Sequence, residues 1–152
     1  MAPTVEVVTR VRAPAERVFD LELDVDVHAQ SLAGSGETAT TSTGRRALQL
    51  GDEVTFRARH LGRTWTMTSR ITACERPRWF VDEQVRGPFA SMRHEHRFAV
   101  EADGSTTMVD RMTIQAPLGK LGRMVHPLLE GYLRRLLVRR AAVVKRLAES
   151  GS

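Results

Sequence analysis

FASMRHEHRFAVEADGSTTMVDRMTIQAP, residues 89–117, combines strand alternation, a turn and polar residues on an apolar face. Met92, His94, His96, Phe98 and Val100 alternate with Arg93, Glu95, Arg97 and Ala99. One face is thus largely apolar and the other largely charged, the pattern of a half-buried strand. Asp103-Gly104 supplies the turn, and beyond it Met108, Asp110, Met112 and Ile114 form a second apolar line against Val109, Arg111 and Thr113. The two lines make a hairpin. If the turn carries one extra bulged residue, Phe98 faces Met108 and His96 faces Asp110; a two-residue turn shifts the pairing by one. In either register, imidazoles and a carboxylate lie close together on a face that is otherwise apolar.

Upstream, Asp52 to His60 turns Val54, Phe56, Ala58 and His60 inward, and after Leu61-Gly62 a second line follows in Trp65, Met67, Ser69, Ile71 and Ala73. Arg78 to Arg86 is ambiguous, and apolar count favours Trp79, Val81, Glu83 and Val85 as its inward face. Thr4 to Arg12 reads as a first strand. Pro14 and Glu16 then favour a helix start, with Val18, Phe19, Leu21 and Leu23 on its apolar face and further helical turns over Asp24 to Leu32. Glu37 to Thr43 is a short Thr-rich strand before a loop whose Leu48 and Leu50 should pack down. Downstream of Pro117, LGKLGRMV is a loose first turn or a short separate helix, because Gly119 and Gly122 are poor helix formers. From Leu128 the helical stripe is clear in Leu129, Leu133, Leu136, Leu137, Ala141, Val144 and Ala148, with Arg134, Arg135, Arg139, Lys145 and Arg146 opposite.

The order is strand, one or two short helices, six strands and a long helix, which is an α+β layout. Seven sequential antiparallel strands with one apolar face must cover that face, and the last helix is the long amphipathic element available. A curved sheet wrapped around one helix leaves a space suited to a small molecule. The 152 residues fit a single domain, taken as 1–149 with a tail at 150–152. No run of about 18 apolar residues exists to span a bilayer, and MAPTVEVVTRVRAP lacks the apolar core of an export signal, so a cytoplasmic location is expected. The lone Cys74 reads as a small buried side chain. Net charge is +5, concentrated on the exposed face of the last helix. Without interleaved aromatics or a groove-reading motif, nucleic acid is not expected as a partner, and an anionic membrane surface is a weak alternative. Oligomeric state is not fixed by the sequence.

GDEVTFRARHLG at 51–62, RPRWFVDEQVRGPF at 76–89, MRHEHRF at 92–98 and MVDRMTIQAPLGKLGR at 108–123 leading into YLRRLL carry a family resemblance. The chain resembles the START-like helix-grip superfamily, or SRPBCC, in its polyketide cyclase/dehydrase-like bacterial branch of small stand-alone members. That resemblance implies a deep hydrophobic cavity between sheet and helix for lipids, polyketides or other apolar ligands. It does not imply one chemistry, since some members bind or transfer ligands and others are cyclases or dehydratases.

The expected ligand-lining residues are Phe56, His60, Trp65, Met67 and Trp79 from the middle strands. Phe89, Met92, His94, His96, Met108, Asp110 and Met112 follow from the hairpin, and Leu133 from the helix. Catalysis, if there is any, falls to His94, His96 and Asp110, because imidazole titrates near neutrality and a carboxylate partner favours its charged form. The bland alternative is a set of buried polar groups that satisfy one another. His94 and His96, two apart on one strand face, could hold a metal with Asp110 or His60, but no second ligand pair supports this and no metal or other cofactor is expected. Asp24, Asp26 and His28 are explained by helix-end solvation. No phosphate loop, nucleophile elbow or Cys-pair zinc motif is present. The expected function is binding of an apolar or amphipathic small molecule, lipid- or polyketide-like; the alternative is a cofactor-free cyclase or dehydratase.

Overall fold

The computed structural model describes residues 4–31, 38–60 and 62–150, apart from the side chain of His60. In chain order the elements are β1 (Thr4–Val11), α1 (Ala15–Glu22), α2 (Val25–Ser31), β2 (Thr38–Thr41), β3 (Glu53–His60), β4 (Arg63–Glu75), β5 (Trp79–Arg86), β6 (Ser91–Val100), β7 (Thr106–Gln115) and α3 (Gly119–Ser150). The seven strands form one sheet in the order β1-β7-β6-β5-β4-β3-β2. Every neighbouring pair is antiparallel. The chain crosses from β1 to the opposite edge through α1 and α2, then returns strand by strand until β7 meets β1. With the long C-terminal helix, this is the α+β helix-grip arrangement.

The hairpin register is the bulged one. Glu101 N–H donates to Ser105 O at 2.8 Å and Gly104 N–H to Glu101 O at 3.0 Å, with Gly104 at φ +85. That positive φ closes the turn and leaves one extra residue on it. Phe98 therefore faces Met108 and His96 faces Asp110.

The concave face holds the core. Phe19 of α1 lies edge-on to Phe80 at 5.5 Å and to Phe98 at 5.4 Å, centroid to centroid. Val11, Val54, Ile71, Met108, Ala141, Val144 and Ala148 join this cluster, and complete burial of a large apolar side chain stabilises by about 1.5–3 kcal/mol. Arg17 ties α1 to the end of α3 by donating to the carbonyls of Leu147 and Ala148 in its last turn, both at 2.9 Å. Leu137, Ala141, Val144 and Ala148 are buried, and Leu129, Leu133 and Leu136 are half-buried. The helical stripe thus lies inward as its spacing predicts. Arg134, Arg135, Arg139 and Arg146 are exposed.

Four local expectations are corrected. On β5 the inward residues are Phe80, Asp82 and Gln84, since Phe80 pairs with His96 and Asp82 with His94. Trp79 pairs with outward Arg97, and its indole N–H donates to Glu75 at 3.0 Å. Apolar count fails here because the inward polar groups are bonded: Asp82 to Ser69 and His96, Gln84 to the Phe89 backbone. On β4 a register shift between Ile71 and Ala73 turns Cys74, not Ala73, onto the core. α3 begins at Gly119 and runs unbroken through Pro127. Gly122 permits that start, because a Cβ there would lie 2.2 Å from Pro117 O. In the 42–52 loop, Leu48 is buried but Leu50 is exposed. Among the described residues no helix is long and apolar enough to cross a membrane.

Candidate functional site

Alternation on β6 and β7 directs His94, His96 and Asp110 to the concave side, and the pairing of β5 brings Asp82 beside them. Burial is deep: His94, His96 and Asp110 are 2 % exposed or less. His94 and His96 lie ring over ring, 3.7 Å between centroids, and Phe80 stacks on the other side of His96 at 4.0 Å. The stack leaves two polar ends. At one, His96 Nε2 lies 2.8 Å from Asp82 Oδ2, while Ser69 Oγ donates to Asp82 Oδ1 at 2.8 Å. At the other, Asp110 Oδ1 is 3.2 Å from His94 Nε2 and 3.1 Å from His96 Nδ1. Glu22, from the end of α1, brings Oε2 to 3.6 Å from His96 Nδ1 and 3.0 Å from Arg140 Nη2 of α3.

The electrostatics follow from this crowding. For His96, burial opposes the charged form, but the carboxylates of Asp110, Asp82 and Glu22 prevail and raise its pKa well above the ordinary value. His94 is lowered by burial and then by His96 beside it, against the pull of Asp110 and Asp82. Burial alone would raise Asp110, yet hydrogen bonds with His94 and His96 hold it below the usual carboxylate range. Asp82 behaves likewise, against burial, through His96. The arrangement is an imidazolium held among carboxylates beside a neutral imidazole.

Next to it is a small pocket of ≈ 30 Å3 between α2, α3 and the sheet, lined among others by Glu22, His28, Phe56, Phe80, Asp82 and Arg140. That is room for about one or two waters, short of the roughly 300–1,000 Å3 of a ligand site. Among the expected lining residues, Phe56, Trp65, Met67, Met92, Met108 and Met112 share the concave face, as their strand pairings require. Met92 and Met108 are buried in it, whereas Phe56, Trp65, Met67 and Met112 stay half-buried. Phe89 is half-buried in the turn before β6, Leu133 is half-buried on α3, and Trp79 is on the outer face. The expectation for the His60 side chain lies outside the described residues.

Four members were not anticipated as site residues: Glu22, His28, Asp82 and Arg140. Two carried a signal. Glu22 follows Val18 and Phe19 at helical spacing, and Arg140 interrupts the stripe between Leu136 and Val144. A charge inside an apolar stripe needs a buried partner, and these two partner each other. Asp82 was hidden by the ambiguity of its strand. Two donor sets have their atoms within 4.8 Å of one another: Asp82, His94 and His96, and Glu22, His96 and Asp110.

The sheet order, the gripped helix and the polar cluster beneath it define a START-like helix-grip protein. A family described as "Polyketide cyclase / dehydrase and lipid transport" matches residues 2–149, and the chain belongs to it. No curated protein matches the chain. Among solved structures, the chain is similar to a protein from Thermus thermophilus, with TM-score 0.78, 17% identity and 99% of each chain covered. It is also similar to the Zhui aromatase/cyclase from a Streptomyces species, with TM-score 0.76, 19% identity and coverage of 98% of this chain and 94% of that one. For a START superfamily protein from Mycobacterium smegmatis the values are 0.70, 16%, 95% and 98%. At these identities the likeness shows the fold.

Proposed function

We propose that residues 1–149 form a single cytoplasmic domain that binds an apolar or amphipathic small molecule, lipid- or polyketide-like, between the concave face and α3. The observation that carries this reading is a gradient along α3. At its C-terminal end Leu137, Ala141, Val144 and Ala148 are buried against α1 and the sheet, whereas Leu129, Leu133 and Leu136 are half-buried, as are Phe56, Trp65 and Met67 on the sheet. α3 packs mainly on β1, α1 and α2. The core is closed at one end and leaves apolar surface uncovered at the other, where a ligand would replace water. Because the pocket holds only ≈ 30 Å3, a ligand must enter by displacing the N-terminal half of α3 or rotating the half-buried side chains. Native mass spectrometry of protein purified without added ligand, with titration of an apolar fluorescent dye, tests this. A co-purifying molecule, or saturable dye binding that weakens at least about tenfold in Leu133→Arg, is expected. The absence of both would end the reading.

A second reading, a cofactor-free cyclase or dehydratase, is favoured by one observation. Within the His–carboxylate stack, Asp82 has a side chain 16% exposed, and its Oδ2 is 2.8 Å from His96 Nε2. Asp82 would exchange a proton with a substrate carbonyl's α-carbon, and His96 would hold Asp82 in place. Full turnover of an identified polyketide substrate by Asp82→Asn and His96→Gln would eliminate it.

A further inference from the structure

The two ends of the imidazole stack are not equivalent. At the Asp82 end both carboxylate oxygens have partners, Ser69 Oγ and His96 Nε2. At the opposite end, Glu22 Oε1 is buried with no hydrogen-bond partner among the described residues, while Glu22 Oε2 and His96 Nδ1 are buried with only ion-pair approaches, to Arg140 Nη2 at 3.0 Å and to Asp110 Oδ1 at 3.1 Å. A buried carboxylate without hydrogen bonds is costly. We propose that Glu22, His96 and Asp110 form a three-residue binding site for one divalent transition-metal ion of the zinc class, with water as the fourth ligand.

Spacing is the first argument. An ion with bonds of 2.0–2.2 Å to N and O donors separates tetrahedral ligands by about 3.3–3.5 Å. Here His96 Nδ1 is 3.1 Å from Asp110 Oδ1 and 3.6 Å from Glu22 Oε2, and one donor atom from each of the three residues lies within 4.8 Å of the other two. Orientation is the second. Asp82, itself fixed by Ser69, accepts at His96 Nε2, so the neutral tautomer carries its proton there and directs the Nδ1 lone pair towards Glu22 and Asp110. In the metal-free protein the Nδ1 proton of the imidazolium lies between these oxygens; a bound cation would take its place, with Asp82 behind the ligating imidazole as the usual outer carboxylate partner of such a metal. Charge is the third argument. Glu22, Asp82 and Asp110 present three carboxylates, with Arg140 the permanent cation paired to Glu22. Imidazole and carboxylate donors together favour zinc, cobalt, iron or manganese over calcium and magnesium.

The inference is independent of ligand binding, and a bound metal would remove the cofactor-free character of the second reading. The test uses full-length protein stripped with a chelator, then titrated with Co2+ and with Zn2+. One Co2+ per chain is expected, with visible bands of a four-coordinate nitrogen–oxygen site that Zn2+ abolishes, and a melting temperature that rises with free Zn2+. Glu22→Gln and Asp110→Asn should weaken binding by more than the roughly 10- to 100-fold that outer-partner changes cost. No stoichiometric uptake by the parent protein overturns the proposal, as does uptake unchanged in both variants. If a variant fails to fold, the Co2+ spectrum of the parent protein decides: bands of a six-coordinate surface site also overturn it.

Discussion

At the scale of single residues, His28 illustrates how neighbours in space outrank neighbours in sequence. Asp24, Asp26 and His28 look like a solvated helix end, and Asp24 behaves so. Its Oδ1 accepts from the N–H of Asp26 at 2.9 Å and of Val27 at 3.3 Å, and Arg46 pairs with it at 2.7 Å. His28 instead turns inward and stacks on Phe56, 4.1 Å between centroids. Burial, then the positive charge of Arg140 on α3, lowers its pKa well below the model-peptide value of 6.5, against Asp82 on β5; His94 and His96 on β6 act in the same lowering direction. The unfolded chain takes up this proton near 6.5 and the folded protein does not. Stability from His28 is therefore complete above that pH and is lost as pH falls from 6.5 towards the depressed value. His94 contributes with the same sign, whereas His96, raised when folded, contributes fully below 6.5 and loses its share as pH rises through its elevated value. His28→Phe keeps the stack and discards the proton. Its melting temperature should fall less than that of the parent protein between about pH 7.5 and 5, and identical slopes would show that His28 does not titrate differently on folding.

Among the elements, the β6–β7 hairpin carries the cross-strand pair that organises the site. His96 faces Asp110 in register, and Asp110 also meets His94 at 3.2 Å, so one carboxylate serves two imidazoles away from water. Removing it takes away the hydrogen bond at His94 Nε2 and leaves His96 with Asp82 and the more distant Glu22. Asp110→Ala should cost about 3–5 kcal/mol, the range for breaking a buried charged pair. Replacing both members by apolar residues should cost less than the sum of the single changes, with a coupling of about 1–3 kcal/mol in a thermal-melt double-mutant cycle. Strict additivity would mean that the pair does not interact. The turn sets this register, because the extra residue admitted by Gly104 puts His96, not Arg97, opposite Asp110.

For the whole molecule, stability should follow the gradient in the core. The C-terminal half of α3 is held by Phe19, Val144 and Ala148 in the core and by Arg17 on its last carbonyls. The N-terminal half exposes Leu121, Met124 and Leu128, and Pro127 removes one helical N–H. Amide hydrogens of residues 137–148 should exchange only through global unfolding, and those of 120–130 through local opening. Exchange mass spectrometry reads the difference directly. Equal protection along α3 would contradict the movement of its first half that ligand admission requires.

The periodic features were legible in the sequence: seven strands, one or two short helices after the first, the inward stripe of α3, and an unusual pair of histidines with an aspartate on the hairpin's apolar face. These are local, since strand alternation and helical spacing record which side of an element meets water. Tertiary structure decided which polar residues from distant segments complete the site. Asp82 faces inward because Ser69 and His96 satisfy it, overriding an apolar count that favoured Trp79 and Val81. Glu22 and Arg140, 118 positions apart, meet because α1 and α3 pack on the same core. A side chain's neighbours across the fold set its orientation and charge, and no window of sequence contains them.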